Sequence, residues 1–249
     1  MDGVDITAAE FIQRLVEDPV HPTTTQPNPD DFLRVYEQLA EEYDAIVVPL
    51  ISTELSGTVN SAEMAAKDFD RMPVRVIDSR STSMGLGFVV LAAARAAAQG
   101  KPLEEVEEAA HSVVSKVRIL FVVDTLEYLH KGGRIGGASR LLGTMLSLKP
   151  LLHMNEGRVD ALEKVRTKVK AINRMLDLSD QYADNKPVRV AVVHSGIPED
   201  AEKLKARVAE RFSCVELFIT EISPAIAVHT GPRTLGLAVC PDEVGGSAH

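Results

Sequence analysis

The sequence predicts an α/β protein of two domains, with a parallel sheet in residues 1–145 and a mixed sheet in residues 146–243. Two observations support this prediction. In the first part, apolar β-branched segments alternate with helical patterns, which is typical of βαβ units and a parallel sheet. After Gly143 the pattern changes, because two apolar segments are separated only by a short turn and therefore indicate a hairpin.

The elements of the first domain are marked by local signals. Thr7 with Glu10 forms a capping-box pattern at the start of the first helix, and Asn28 followed by Pro29 starts the second. The apolar segments 45–51, 74–78 and 119–124 are predicted as the strands of the parallel sheet. Further helices are predicted at 56–67, 84–99 and 103–114. We therefore expect binding residues in the loops that follow the carboxyl ends of these strands.

The second domain is predicted to begin with a hairpin and to continue as alternating helices and strands. Asn155, Glu156 and Gly157 lie between two apolar segments, and an Asn and a Gly in that position favour a tight turn. The strands of the hairpin are predicted at 148–154 and 158–165, the later strands at 188–194, 215–219 and 234–240, and the helices at 168–178 and 199–212. Residues 244–249 are predicted to be a disordered tail.

The composition excludes several classes of function. Apolar residues make up 45% of the 249 residues and charged residues 25%, as in a folded globular protein. The formal charge of −9 disfavours nucleic acid and anionic membrane surfaces as partners. Cys214 and Cys240 are too few for a disulfide framework and lack the spacing of metal ligands. We therefore expect a cytoplasmic protein with no metal, no integral membrane association and no secretion signal.

The segment 52–58 is a candidate anion site, because it follows a predicted strand and opens a predicted helix. Ser56, Gly57 and Thr58 would present hydroxyl and backbone N–H groups at a helix N-terminus, where the unpaired amides and the helix dipole favour negative charge. These groups suit a carboxylate or a phosphate oxygen. The alternative is that Ser56 only caps the helix, which is a common role for serine.

A second candidate is the glycine-rich segment 131–137, in which four glycines flank Arg134. The glycine spacing fits neither a dinucleotide fingerprint nor a Walker motif. The segment therefore predicts a tightly bent backbone that presents one cation. A solvated arginine in a linker between the domains is the alternative.

His229 lies in a third candidate segment, His-Thr-Gly-Pro, just before the last predicted strand. A single histidine often has only a structural role, so this segment alone leaves the choice open. Ser56, His229 and either Asp78 or Asp124 could also form the triad of an acyl hydrolase or acyl transferase. No Gly-x-Ser-x-Gly elbow is present, which makes this the alternative function.

Taken together and in order, these segments resemble the DegV family. The motifs are Thr24-Thr25-Gln26-Pro27, Ser52-x-x-x-Ser56-Gly57-Thr58, Val76-Ile77-Asp78-Ser79 with Met84-Gly85-Leu86-Gly87, Asp124-Thr125-Leu126-Glu127-Tyr128-Leu129-x-Lys131-Gly132-Gly133-Arg134-Ile135, and His229-Thr230-Gly231-Pro232. The resemblance extends from about residue 3 to residue 241.

The resemblance implies a carrier that binds a long-chain fatty acid between two α/β domains and presents the carboxylate to a separate ATP-dependent fatty acid kinase, which forms an acyl phosphate. It implies no catalytic residue and no cofactor in this chain. The carboxylate would be held by a hydroxyl of Thr24 or Thr25, by Ser56 and by His229. The neighbouring residues Gly57, Thr58 and Thr230 would complete the carboxylate site, and Arg134 and Arg233 would face the partner or its phosphates.

Two features of the chain depart from the usual pattern of the family. Family members usually continue the last motif as Gly-Pro-Gly-Thr, whereas here Arg233 replaces that glycine. We therefore expect that the loop does not easily keep a positive φ at this position. Family members also usually begin with a further strand, and without it the first sheet is expected to have three strands and an exposed edge.

Overall fold

The structure is a computed structural model, and it describes residues 5–143 and 149–242. The described helices and strands follow in the order α1 (Ala8–Glu17), α2 (Pro29–Leu39), β1 (Ile46–Leu50), α3 (Thr58–Asp68), β2 (Val74–Asp78), α4 (Ser83–Ala98), α5 (Leu103–Val114), β3 (Arg118–Val122), α6 (Glu127–Lys131), the 3-10 helix η1 (Gly136–Leu141), β4 (Lys149–Asn155), β5 (Arg158–Val165), α7 (Lys168–Ala183), β6 (Val188–His194), α8 (Pro198–Arg211), β7 (Cys214–Glu221), α9 (Pro224–Thr230) and β8 (Leu235–Pro241). The predicted α/β class is confirmed.

The chain divides into two compact units. The larger unit contains the described parts of Met1–Thr24, Val117–Asn155 and Val159–His249. The smaller unit contains Thr25–Lys116 and Glu156–Arg158. In the described residues the smaller unit has a two-stranded sheet and the larger unit has a six-stranded sheet. The larger unit is therefore formed by segments from both ends of the chain, and most of the smaller unit is one continuous segment between them.

The smaller unit is a βαβ unit covered by helices on both faces. β1 and β2 are parallel, with Ile46 opposite Val74 and Leu50 opposite Asp78. One face carries a core around Ile77 and Val89, which α4 and α5 complete. The other face carries a core around Tyr36 and Phe69, which α2 and α3 complete. Burial raises the pKa of Tyr36 to about 12, and its hydroxyl donates a hydrogen bond to the carbonyl of Ala62.

The larger unit is built on a mixed sheet with the strand order β5-β4-β3-β8-β6-β7. β6 and β7 are parallel and joined by α8, whereas β3 runs antiparallel to β4 and β8, and β6 runs antiparallel to β8. α7 and α8 cover a core that includes Leu151, Met175 and Leu235, none more than 1% exposed. A mixed sheet in the second half of the chain is therefore confirmed.

The prediction that the parallel sheet has a third strand is wrong. β3 pairs with β4 and β8, so it belongs to the six-stranded sheet and not to the sheet of β1 and β2. The reason is that an apolar, β-branched segment fits any buried strand, and its composition does not specify its neighbour. The predicted division at 145/146 therefore separates strands that share one sheet. That boundary itself and the predicted tail at 244–249 lie outside the described residues.

Several local predictions are confirmed. Thr7 and Glu10 form a reciprocal capping box, and Asn28 forms another with Asp31. Glu156 and Gly157 join β4 to β5, which are neighbours in the sheet, and both have a positive φ, as a type I′ turn requires. Within the described residues, no helix has the length and apolar character needed to cross a membrane.

Candidate functional site

His229 lies in the last turn of α9, a short helix that the sequence did not predict. Its Nε2 is 3.0 Å from Oγ1 of Thr24, which lies in the loop between α1 and α2. Its Nδ1 is buried and has no hydrogen-bond partner among the described residues. Since buried ring nitrogens are normally paired, an unpaired one here marks a place where a ligand atom or a water molecule is needed.

The electrostatic environment keeps the imidazole of His229 neutral. Burial, with smaller contributions from the charges of Arg134 and His21, lowers the pKa of His229 to about 4. At neutral pH the ring therefore has one N–H donor and one acceptor nitrogen. Beside the Thr24 hydroxyl, this ring can donate a hydrogen bond to an oxyanion without carrying a charge of its own.

The position of Gly132 explains why this part of the glycine-rich segment 131–137 needs glycine. A Cβ at this position would overlap Nδ1 of His229, so only glycine lets the imidazole pack directly on the end of α6. The carbonyl of Gly132 accepts a hydrogen bond of 2.8 Å from the guanidinium of Arg134. Arg134 therefore lies on the same short stretch of backbone that carries the ring.

The rest of this segment is held against β5. A Cβ at Gly136 would overlap the carbonyl oxygen of Val159, and one at Gly137 would overlap the carboxylate of Asp160. Arg140 pairs with Asp160 at 3.2 Å. Because residues 131–137 lie between two elements of the larger unit, the alternative that they form a linker between domains is wrong.

His21 and Tyr128 complete this part of the larger unit, and sequence reasoning missed both as site residues. Their ring centroids are 5.9 Å apart, and the rings are tilted by 47°. Gly231, which has φ +79°, packs so closely on the Tyr128 ring that a Cβ would overlap it. The only signal in the sequence was that His21 begins the loop 21–27 that carries Thr24. We call His21, Thr24, Tyr128, Gly132 and His229 the His229 cluster.

The Ser56 segment, residues 52–58, lies in the smaller unit. Oγ of Ser56 is 2.7 Å from Oγ1 of Thr58, so the two hydroxyls pair with each other. The residue at the N-cap of α3 is Gly57, and no side chain caps this helix. Ser56 is therefore not the cap that the structural alternative required. At the strand end, Ser52 is fully buried and its Oγ accepts a hydrogen bond from the N–H of Glu54.

Gln26 packs on the start of α3. A Cβ at Gly57 would overlap the carboxamide oxygen of Gln26, and Nε2 of Gln26 donates a hydrogen bond of 3.1 Å to Ser61. Gly57 is therefore required by a close approach, as at Gly132, but the neighbour here is an exposed, flexible side chain. Thr25, next to Gln26, is also exposed.

Thr230 has a structural role in the larger unit. Its hydroxyl donates to the carbonyl of Ile226 at 3.4 Å, and its own carbonyl accepts a hydrogen bond from Thr234. These bonds close the end of α9 and connect it to β8. The hydroxyl of Thr230 is therefore occupied within the protein.

Arg233 corrects an expectation from the sequence. It has φ +61°, so the loop keeps a positive φ without glycine. Its N–H donates to the carbonyl of Ser195, and its Nε donates to Asp124, each at 2.8 Å. These two bonds offset a backbone strain of about 1 kcal/mol or somewhat more. Asp124 also pairs with Lys149 at 3.4 Å.

The acids proposed for a hydrolase triad have other partners. Asp78 accepts a hydrogen bond of 2.7 Å from the hydroxyl of Thr53, and Asp124 pairs with Arg233 and Lys149. In the described part of the chain, no carboxylate accepts a hydrogen bond from Nδ1 of His229. The orienting acid of a triad is therefore not in place. Nor do three His, Cys, Asp or Glu side chains of the described residues come together as a metal site.

Comparisons with known proteins agree with this fold. The sequence model of a protein family, described as an uncharacterised protein of the DegV family, matches residues 1–242 of this chain. A DegV domain-containing protein of Streptomyces coelicolor is 41% identical over 241 residues, which cover 96% of this chain and 85% of the relative. One from Mycobacterium tuberculosis is 37% identical over 241 residues, covering 96% and 84%.

Solved structures give the same result. A fatty-acid-binding DegV family protein from Thermus thermophilus is 40% identical, with a TM-score of 0.91 over 97% of this chain and 86% of that one. DegV from Bacillus subtilis, described as a fatty acid binding protein, is 30% identical, with a TM-score of 0.88 over 97% and 86%. Because the family model covers nearly the whole sequence, this chain belongs to the DegV family.

Proposed function

We propose that this protein binds a long-chain fatty acid and holds its carboxylate with Thr24 and His229, and that it does not catalyse a reaction by itself. The observation that carries the proposal is the neutral, half-buried imidazole of His229, which contacts Thr24 through Nε2 and has a buried, unpaired Nδ1. The similar structures from Thermus thermophilus and Bacillus subtilis, both described as fatty acid binding, support the class of ligand.

Neutral donors suit a fatty acid carboxylate that must remain reactive. Thr24 and the neutral His229 are bonded to each other, and the donor hydrogen that this bond leaves over can bond to a carboxylate oxygen without forming a salt bridge that would withdraw the charge of the carboxylate. The tail supplies most of the affinity, because a sixteen-carbon chain gains on the order of 10 kcal/mol from burial at about 0.8 kcal/mol per methylene. The head group then decides orientation more than affinity.

The Ser56 segment is the second proposed source of carboxylate contacts. Ser56 and Thr58 present two hydroxyls 2.7 Å apart at the start of α3, and Gly57 between them lies against the carboxamide of Gln26. The family resemblance supports a role for Ser56 in particular. Thr25 and Thr230 are proposed as adjacent residues of the site, with Thr25 the freer of the two, because the Thr230 hydroxyl already bonds to Ile226.

The proposed partner is an ATP-dependent fatty acid kinase that phosphorylates the presented carboxylate to an acyl phosphate. The family resemblance supports this partner. Arg134 is the candidate residue facing the kinase or its phosphates, since its charge acts on His229 and its guanidinium bonds to the backbone of Gly132. Arg233 is a second candidate, and its side chain is 58% exposed beside Asp124.

Ligand extraction and variant proteins test the binding proposal. Mass spectrometry of the purified protein should show a stoichiometric, intact fatty acid. Thr24→Val and His229→Leu should weaken the binding of added oleic acid about tenfold or more each, because each breaks the Thr24–His229 pair that supplies a hydrogen bond to a charged group. His130→Leu is the matched control, since His130 is exposed on α6. Steady release of product from an acyl ester would instead support the hydrolase or transferase.

The kinase proposal needs a separate measurement. Protein loaded with oleic acid is incubated with the kinase and ATP, and acyl phosphate is measured. Arg134→Ala should keep its lipid and lose most of the phosphorylation, because a charge at the rim of a contact acts mainly on association. Ser56→Ala should also lose phosphorylation more than lipid, because a small displacement of the carboxylate can cost about a hundredfold in rate. Equal loss of lipid and phosphorylation in both variants would contradict this division of roles.

A further inference from the structure

His21 is a histidine of the larger unit to which neither the sequence motifs nor the proposed function assigns a role. It lies four residues after the end of α1 and three residues before Thr24. Its Nε2 is buried and has no hydrogen-bond partner among the described residues. A buried polar atom without a partner costs about 1–3 kcal/mol, so a partner that the protein alone does not supply would stabilise this position.

The surroundings of His21 connect it to His229. The ring of His21 packs at a tilt on the ring of Tyr128, and Tyr128 in turn packs on Gly231, two residues after His229. His21 is also close enough to His229 for its charge to act on that ring. The His229 cluster therefore contains two imidazoles, each with a buried ring nitrogen that has no partner in the described residues.

Charged groups act on both rings. Arg134 acts on His229, together with His21. On the side of His21 one charged neighbour is Glu127, whose pKa is lowered by its hydrogen bond with Lys131 and the charge of Lys131, and to a smaller extent by the charge of His21. Since Lys131 pairs with Glu127 at 2.6 Å, this carboxylate already has a cationic partner.

We propose that His21 is a second head-group residue, whose Nε2 donates a hydrogen bond to the carboxylate held by Thr24 and His229 and so makes the site prefer a carboxylate over an uncharged alcohol head group. This inference rests on the proposed function. An ionised carboxylate offers about four lone-pair positions, whereas Thr24 and a neutral His229, which are bonded to each other, have one donor hydrogen left between them. His21, protonated at Nε2, adds a donor in the same cluster.

The competing explanation is that His21 only packs against Tyr128, and two substitutions separate the explanations. His21→Phe keeps an aromatic ring beside Tyr128 but removes both nitrogens. His21→Gln keeps an N–H donor but removes the ring. His130→Phe is the matched control, because His130 is exposed on α6 and is not part of the cluster. Affinities of the delipidated full-length proteins are measured for oleic acid and for oleyl alcohol, and the thermal unfolding midpoint is recorded for each.

His21→Phe should weaken oleic acid binding about tenfold or more, as expected for the loss of a hydrogen bond to a charged group, with oleyl alcohol binding changed less than about twofold. His21→Gln should recover most of the oleic acid affinity. The unfolding midpoint of His21→Phe should equal or exceed that of the parent protein, because the substitution removes a buried nitrogen without a partner in the described residues. All properties of His130→Phe should match the parent protein.

The inference is overturned if His21→Phe loses both ligands equally, since that marks a packing role, or if it binds oleic acid as the parent does. It is also overturned if His21→Gln is as weak as His21→Phe. Failure of the proposed function gives a different result, because then the parent protein itself does not bind oleic acid, or Thr24→Val and His229→Leu bind it unchanged.

Discussion

The His229 cluster and the Ser56 segment are both polar sites at the end of a regular element, yet they satisfy their polar groups differently. In the Ser56 segment the hydroxyls of Ser56 and Thr58 bond to each other, and Ser52 accepts a backbone N–H. In the His229 cluster one nitrogen of His229 and one of His21 are buried without a partner among the described residues. The hydroxyls of the Ser56 segment thus have partners within the protein, whereas two ring nitrogens of the His229 cluster have none among the described residues.

This difference indicates where a ligand contributes most. A hydroxyl pair costs little to keep and can rotate to meet a ligand, whereas a buried nitrogen without a partner costs free energy until a ligand atom or water arrives. The His229 cluster should therefore gain more from an oxyanion than the Ser56 segment does. It should also respond to pH, because its central group titrates.

The largest expected effect is the dependence of stability on pH that His229 causes. The pKa of His229 is about 4 in the folded protein against 6.5 for an ordinary histidine, so between these values the unfolded chain binds more protons. The contribution of the neutral imidazole to the free energy of unfolding is therefore fully present above about pH 6.5. It is lost as the pH drops towards 4, by up to about 3 kcal/mol in total.

Urea unfolding at pH 7.5 and pH 4.5 measures this effect. His229→Gln should show a smaller loss of stability between the two values than the parent, whereas Ser56→Ala should show the same loss as the parent. Burial also lowers the pKa of His153 and of His194, but both groups are present in every variant and cancel in the comparison. An unchanged pH dependence in His229→Gln would show that the imidazole is not held neutral.

The second prediction compares two glycines that are both needed for a close approach. Gly132→Ala places a Cβ on the ring of His229, which is held by Thr24 and cannot move freely, so unfolding should be easier by about 1–3 kcal/mol and fatty acid binding should weaken. Gly57→Ala places a Cβ on the end of Gln26, which is exposed and can rotate away, so the cost should stay below about 1 kcal/mol.

Gly133→Ala controls for the backbone. Gly133 is next to Gly132 and has φ +69°, but a Cβ there would meet no atom within 4 Å. It should therefore cost about 1 kcal/mol of strain and leave lipid binding unchanged. Equal losses of binding in Gly132→Ala and Gly133→Ala would mean that general loosening of α6, and not displacement of His229, is responsible.

The third prediction concerns the hydroxyl pair of the Ser56 segment. Ser56→Ala leaves Thr58 without its 2.7 Å partner in a partly buried position, so the free energy of unfolding should fall by about 0.5–1.5 kcal/mol. Urea unfolding measures this loss, and Ser139→Ala, at an exposed serine, provides the baseline. A loss of 2 kcal/mol or more would be larger than about one ordinary hydrogen bond and would contradict the view that this segment is held by simple pairing.

The smallest expected effect is that of Arg233→Gly. Glycine removes about 1 kcal/mol of strain at φ +61° but adds a similar entropic cost, and the lost ion pair with Asp124 is largely exposed and worth about 0–1 kcal/mol. The unfolding midpoint should therefore stay close to that of the parent. A clear rise would show that the arginine is kept in spite of its strain, which would favour a role in contacting the partner.

The sequence predicted most elements and most motif residues of the candidate site, because their signals are local. Thr7, Asn28 and the Glu156-Gly157 turn lie where capping and turn preferences place them. β6 was predicted with the bounds that the structure has. The short helix α9 and the role of His21 were missed. A seven-residue helix has too few turns to show a period, and one histidine in a loop carries no pattern.

What the sequence determined by itself is therefore the set of elements, their caps and turns, and the ordered motifs that place the chain in its family. Only the tertiary structure decided that β3 joins β4 and β8, that Gly132 lies against His229, and that Arg233 keeps a positive φ. The physical reason is that caps, turns and periodicity depend on residues a few positions apart. Strand partners, close approaches and unpaired buried nitrogens instead depend on residues that are far apart in the chain and meet only when it folds.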